Sequence, residues 1–136
     1  MRHLQAWALG LLVALPAAPL AAKERASFLA GTYATEDGCR KLARIHAGGP
    51  RNLETVPWTL EADGFHGWEG ACEFTRIDEH EPGRSWIAIM MCVEGAQLAP
   101  ELYLFMKDEA EDAFEVARQG DDSPELYRRC GAGKGR

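Results

Sequence analysis

The chain has 136 residues, of which 46% are hydrophobic and 26% charged, and its formal charge at pH 7 is −6. Because an acidic chain repels nucleic acid and anionic lipid surfaces, we expect no nucleic-acid partner. The length suits one domain, and no internal repeat or low-complexity linker divides it.

The first 22 residues predict a secretory signal peptide. Arg2 and His3 precede an apolar stretch over residues 4–15, and a run of small residues ends at Ala22, before Lys23. This order is typical of a peptide cleaved after Ala22. An uncleaved membrane anchor is the alternative, because the stretch approaches the ~20 apolar residues that span a bilayer. We expect cleavage, a periplasmic or secreted location, no membrane span after signal removal, and one mature disulfide-stabilised β domain over residues 23–136.

The mature chain opens with a short apolar segment over residues 28–34, after which Thr35 is a candidate helix N-cap. Mildly apolar side chains then recur at helical spacing, at Cys39, Leu42, Ala43 and His46. The glycines and proline of residues 48–50 end this pattern. We predict one N-terminal helix that begins at Glu36.

Beyond residue 54, runs rich in aromatic and β-branched residues alternate with turn residues, which is the pattern of consecutive antiparallel hairpins. Asp63-Gly64 and Pro82-Gly83 are the clearest turns. The predicted strands cover residues 56–62, 65–78, 85–94, 101–107 and 113–118. We expect a mainly-β fold, an antiparallel up-and-down meander or small barrel of five strands, or six with Tyr33.

Four cysteines allow three disulfide pairings, and sequence order alone does not choose among them. Cys72 and Cys92 are nearly symmetric about the turn at residues 82–83, so an antiparallel hairpin would place them opposite each other. We therefore predict a Cys72–Cys92 bridge, which leaves Cys39 to pair with Cys130.

The predicted bridge also defines a register for the hairpin. Counting from it gives six cross-strand pairs: Glu73 with Met91, Phe74 with Met90, Thr75 with Ile89, Arg76 with Ala88, Ile77 with Ile87 and Asp78 with Trp86. Neither face of residues 86–93 is polar. We therefore expect this strand to be central and covered on both sides by other parts of the chain.

Aromatic residues provide the candidate ligand site. Trp58, Trp86 and Tyr103, with Trp68 beside them, could line a cavity in a barrel mouth, because ligand pockets are mostly apolar. Ordinary core packing is the alternative for the same residues. His66 and His80 lie 14 residues apart on one predicted strand and are too distant to share an ion, so we expect no metal site and no cofactor.

Catalytic motifs are missing from the sequence. It contains no Gly-x-Ser-x-Gly elbow, no His-Glu-x-x-His, no Cys-x-x-Cys and no phosphate-binding loop. Two disulfides would also occupy every thiol. We therefore predict no catalytic residues and no enzymatic activity.

Residues 29–33, Leu-Ala-Gly-Thr-Tyr, followed by Gly38-Cys39, resemble the opening of small exported β-barrel proteins, including lipocalin-like folds and the bacterial periplasmic metalloprotease inhibitors. Those proteins begin with Gly-x-Trp, and Tyr33 stands here in place of the tryptophan. The resemblance implies an exported barrel and an inhibitory segment at residues 23–27. It also implies a Cys39–Cys72 bridge, which conflicts with the pairing predicted from the hairpin.

The leading functional hypothesis is a non-enzymatic binding module whose partner is another protein, with inhibition of a hydrolase as one form. A carrier of a small apolar ligand is the alternative, and an envelope structural protein is a third. A carrier needs an unfilled cavity beside Trp58, Trp86 and Tyr103, whereas a protein binder needs an exposed apolar patch or an ordered loop. The partner and the oligomeric state stay open.

Overall fold

The computed structural model describes residues 24–131, so the predicted signal peptide lies outside the described residues. Within them the chain forms eight strands and one helix: β1 Tyr33–Ala34, α1 Glu36–His46, β2 Thr59–Glu61, β3 Gly64–His66, β4 Gly70–Glu81, β5 Ser85–Glu94, β6 Gln97–Asp108, β7 Ala113–Arg118 and β8 Glu125–Arg129. Neighbouring strands pair antiparallel in chain order, and β1 also pairs with β8. The fold is therefore a closed up-and-down barrel.

The mainly-β class, the helix and the barrel are confirmed, but the barrel has eight strands where five or six were predicted. The predicted strand over residues 65–78 is interrupted between β3 and β4, where the Gly67 N–H donates to the Gly70 carbonyl at 2.9 Å. Strand β8 was not predicted, because Tyr127 is its only buried residue and three of its five residues are charged. The residues at the β3–β4 break and those of β8 do not show the alternation of apolar and polar residues by which strands are recognised.

Helix α1 begins where the sequence predicted. The Thr35 side chain accepts a hydrogen bond from the Gly38 N–H at 3.2 Å, as an N-cap does. The helix packs against β1 and β8 and buries Ile45. No helix in residues 24–131 combines the length and the apolar character needed to cross a bilayer.

Both predicted disulfides are present. Cys72 joins Cys92 across the β4–β5 hairpin, and Cys39 joins Cys130, which ties α1 to the end of β8. The Cys39–Cys72 bridge implied by the resemblance is not formed. The second bridge therefore fastens the helix beside the seam at which the first and last strands close the barrel.

The β4–β5 register is correct only at its first pairs. Cys72 lies opposite Cys92 and Phe74 opposite Met90, as predicted, but a β-bulge follows and Arg76 then pairs with Ile89. The predicted pairings beyond Phe74 are therefore wrong by one residue. Thr75 is the extra residue, and its hydroxyl donates to the Ile89 carbonyl at 2.8 Å. A bulge increases local twist, which helps a sheet to close on itself.

The expectation that β5 is covered on both sides is wrong. Its inward residues are buried, but Ile87, Ile89 and Val93 point outward and are 37%, 39% and 43% exposed. Helix α1 packs on the β1–β8 side of the barrel. The apolar outer face of β5 is consequently open to solvent.

The N-terminal segment closes one end of the barrel. The Ala26 N–H donates to the Ala62 carbonyl at 2.7 Å, and the Glu24 carboxylate accepts from the Ile77 N–H at 2.8 Å. Phe28 stacks on Trp86 with ring centroids 4.1 Å apart. The central core contains the most deeply buried large side chains, which are Tyr33, Leu60, Phe74, Met90 and Phe105. The centre of the barrel is thus packed, and a cavity of about 400 Å³ opens towards the other end.

Candidate functional site

Two paired strands present a continuous apolar surface to solvent, which we name the apolar ladder. It comprises four cross-strand pairs of outward side chains on β5 and β6: Ile87 with Leu104, Ile89 with Leu102, Met91 with Pro100 and Val93 with Leu98. Leu98 is 65% exposed and Leu102 38% exposed. Monomeric proteins rarely expose a contiguous apolar patch larger than a few hundred Å², and such patches commonly mark interaction sites.

One end of the ladder, with Leu98 and Pro100, lies at an open edge of the sheet. Strand β7 pairs with β6 from Tyr103 onward, so the described pairings of residues 97–102 of β6 lie mainly on the β5 side. Pro100 sits in this edge segment and has no N–H to offer an added strand. The edge is therefore poorly suited to strand addition, and the outer face is the surface left for contact.

Charged residues border the ladder on its neighbouring strands. Glu73, Arg76 and Asp78 lie on exposed positions of β4, and Glu115 lies on an exposed position of β7. The Arg76 guanidinium forms an ion pair with Asp78 at 2.7 Å. The rim of the ladder is therefore predominantly acidic.

A second open feature lies at the unplugged end of the barrel, and we name it the barrel mouth. It is a cavity of about 400 Å³. Its apolar wall consists of Trp58, Phe65, Val93, Ala99, Tyr103, Val116, Tyr127 and the Cys72–Cys92 disulfide. Four carboxylates and one guanidinium also line it, from Glu94, Glu101, Asp121, Glu125 and Arg118. The mouth thus combines an aromatic wall with an excess of negative charge.

Hydrogen bonds order the polar groups of the mouth. The Tyr103 hydroxyl donates to the Glu101 Oε2 at 2.8 Å, and the Tyr127 hydroxyl donates to the Glu125 Oε2 at 3.5 Å. Burial, with the neighbouring carboxylate, raises the pKa of each tyrosine above its usual range. Both hydroxyls therefore stay protonated and keep donating at physiological pH.

Arg118 is the one cation in the wall of the mouth. Its Nη2 lies 2.8 Å from Asp121 Oδ1, and its Nη1 lies 3.7 Å from Glu101 Oε2. The hydrogen bond and charge of Asp121 raise the pKa of the guanidinium further. The positive charge of Arg118 thus offsets one of the four negative charges of the mouth, chiefly that of Asp121.

The three residues proposed from sequence to bind a ligand do not share one cavity. Trp58 and Tyr103 both line the barrel mouth. Trp86 lies at the plugged end, where it is 7% exposed and packs on Phe28. Trp68, 49% exposed, does not line the mouth and lies in a neighbouring pocket of about 600 Å³, which Trp58, Glu125 and Tyr127 also line. The structure therefore brings together two of the predicted residues and adds Phe65 and Tyr127.

Potential metal ligands also group differently from the sequence expectation. His66 lies beside Asp63, with Nε2 2.9 Å from Oδ1, and Glu61 completes a group whose ligand atoms lie within 4.8 Å of one another. The other such group among residues 24–131 includes Cys72 and Cys92, whose sulfurs are bonded to each other. The first group lies on the β2–β3 hairpin, and its three residues neither line the mouth nor belong to the ladder.

Known proteins were compared with the chain at three levels. No family model, curated protein or solved structure matches it. The resemblance at residues 29–39 therefore stays a prediction.

Sequence reasoning missed the ladder, and it found the mouth only in part, because it proposed Trp58 and Tyr103 as cavity residues without Phe65, Tyr127 or the charged groups. Alternate residues from Leu98 to Leu104 on β6 are all apolar, while the residues between them include Glu101 and Tyr103. That alternation indicates which side chains share a face, but the absence of a covering layer depends on where α1 packs. Glu125, one of the five charged residues of the mouth, lies on β8, which had no recognisable strand pattern.

Proposed function

We propose that this protein is a non-enzymatic binding module, exported to the periplasm or secreted, which binds another protein through the apolar ladder. The observation that carries the proposal is the row of four apolar cross-strand pairs on β5 and β6 that no described part of the chain covers. Two disulfides agree with folding in an oxidising compartment. The proposal that the partner is a hydrolase rests on the sequence resemblance alone.

The shape of the ladder supports a protein partner. Eight side chains on two strands paired in unbroken register form one contiguous apolar face. Protein interfaces have this construction, with an apolar centre that excludes water and a polar rim. A standard interface covers about 800 Å² on each partner, so the ladder would form its centre and the charged residues on β4 and β7 its border.

Charge favours a partner other than a second copy of this chain. The chain carries a formal charge of −6, and the exposed border of the ladder contains Glu73, Asp78 and Glu115 against Arg76. Two copies facing each other would bring like-charged borders together, which opposes association. We therefore propose a partner with an apolar surface surrounded by lysine or arginine.

The test compares wild type with a variant that alters the ladder and preserves the sheet. In the double variant Ile89→Lys with Leu102→Glu, opposite charges replace a facing apolar pair, so the strand pairing gains an ion pair. The matched control is Ala43→Glu with Ala47→Lys, which adds the same charges at (i, i+4) spacing between the last turn of α1 and its C-cap residue. Ala43 and Ala47 are exposed and lie on the opposite side of the barrel.

Each protein is immobilised and exposed to cell-envelope extract, and any retained protein is identified, purified and titrated by calorimetry. We expect wild type and the helix control to bind the purified partner with a negative heat-capacity change, and the ladder variant to bind at least about tenfold more weakly. Equal binding by all three would refute the ladder as the site. A ladder-dependent dimer in sedimentation velocity would show that the occupant is a second copy and contradict the proposed basic partner.

A further inference from the structure

We propose that the barrel mouth binds a small organic cation, namely an ammonium or guanidinium group attached to an aromatic or aliphatic body. The mouth adjoins the apolar ladder at Val93, which belongs to both, but the proposal does not depend on the protein-binding proposal. It also differs from the small apolar ligand expected of a carrier, because the polar groups of the mouth select for charge.

The size of the mouth suits a small molecule. Its volume of about 400 Å³ falls within the usual range of ligand pockets, which begins near ~300 Å³. Phe65 and Tyr103 form part of the wall with their rings tilted at 39° and centroids 5.2 Å apart, and Tyr127 packs edge-on to Phe65. A ring or short alkyl chain would therefore contact aromatic surface on entering.

Trp58 is held in place at the edge of the mouth. A Cβ added at Gly67 or Gly70 would lie 2.9 Å from an atom of its indole, so the ring rests directly on the backbone of the β3–β4 turn. The indole is nevertheless 44% exposed and lines the cavity. Indole faces attract cations more strongly than other aromatic rings do. An exposed and positioned tryptophan at this entrance fits a cationic ligand.

The carboxylates of the mouth would select for a positively charged ligand. Glu101 and Glu125 line the mouth and use Oε2 to accept hydrogen bonds from Tyr103 and Tyr127, and their Oε1 atoms take no part in those bonds. An N–H donor of a ligand could bond to these Oε1 atoms, and charge-assisted bonds of this kind are stronger than neutral ones. Four carboxylates against one guanidinium leave the wall with a formal charge of about −3, which would attract a cation and repel an anion.

A neutral apolar ligand would fit this wall poorly. It would displace water from Glu101 and Glu125 and offer no donor in return, and burying a charged group without a partner is unfavourable. The ion pair of Arg118 with Asp121 occupies the one guanidinium that an anionic ligand would need. The arrangement therefore favours a positive charge on the ligand.

The test uses three probes of similar shape: 2-phenylethylammonium, the neutral 2-phenylethanol and the anionic 3-phenylpropanoate. Binding is followed by quenching of tryptophan fluorescence and by calorimetry. We expect saturable binding of the ammonium at the mouth, with both other probes bound about tenfold or more weakly. Equal affinity for the alcohol would show that the carboxylates do not select the ligand and would overturn the proposal.

Variants then locate the site. Glu125→Gln should weaken binding of the ammonium by about tenfold with no change in fold, because Glu125 lies exposed at the rim. Glu115→Gln removes the same charge from an outward position on β7 and should leave binding unchanged. Equal loss in both variants would indicate general attraction to an acidic protein and refute a site in the mouth. The ladder variant should bind the ammonium normally, so failure of one proposal leaves the other testable.

Discussion

Replacement of Gly64 by alanine should destabilise the barrel far more than the same change at Gly83. Gly64 begins β3 with φ +142°, and an added Cβ would lie 1.8 Å from the Cys72 carbonyl oxygen. Real Cβ atoms do not approach within 3.0 Å, so β3 and β4 would have to separate by more than 1 Å. Gly83 has φ +69° and no heavy atom within 4 Å of the same position. Both changes therefore incur backbone strain, but only the first adds a steric clash.

The magnitude follows from those two costs. Positive φ costs an alanine about 1–2 kcal/mol, which is the whole effect expected at Gly83. At Gly64 the separation of β3 from β4 also weakens the backbone hydrogen bonds between these strands near the Gly64–Glu73 and Phe65–Cys72 pairs, at about 1 kcal/mol each. The total for Gly64→Ala is about 3–4 kcal/mol, a large part of the 5–15 kcal/mol stability of a typical domain.

Denaturation by urea, with both disulfides verified as intact by mass spectrometry, measures the two free energies of unfolding. The slope of each transition should stay the same, so that the change in midpoint reports stability alone. A Gly64→Ala variant that loses no more stability than Gly83→Ala would refute the close approach of β3 and β4 at this turn.

Three further predictions concern the Cys39–Cys130 bridge, Tyr103 and Phe28. Replacing Cys39 and Cys130 together by serine should lower the free energy of unfolding by about 4–5 kcal/mol, because that bridge spans 91 residues; a loss below about 2 kcal/mol in urea denaturation would contradict this. Since the pKa of Tyr103 is raised on folding, the unfolded chain ionises first, and stability should fall as pH rises above about 10. The variant Tyr103→Phe should weaken this dependence of stability on pH. An unchanged slope of stability against pH would contradict the role of Tyr103. Phe28→Ala should cost about 2 kcal/mol and alter the fluorescence of Trp86, on which Phe28 stacks; unaltered emission would place the N-terminal segment elsewhere.

Local sequence signals were sufficient wherever a turn or cap acts on its immediate neighbours. Thr35 predicted the start of α1, and Asp63-Gly64 and Pro82-Gly83 predicted two hairpins. The second hairpin in turn predicted the Cys72–Cys92 bridge, because residues equidistant from a tight turn lie opposite each other in an antiparallel pair. These features depend on backbone geometry over a few residues, which the residue types themselves determine.

Tertiary structure decided what each face of the sheet meets. The bulge at Thr75 shifted the register because closing a barrel demands extra twist, and β8 formed because closure offers its backbone partners on both β7 and β1. Closure also left the apolar outer face of β5 and β6 uncovered, and it turned Glu101 and Glu125 towards the barrel mouth. The sequence by itself thus determined the turns, the helix and the disulfide pairing within one hairpin. The strand number, the exposed ladder and the charged mouth follow from contacts between distant residues, which no local pattern encodes.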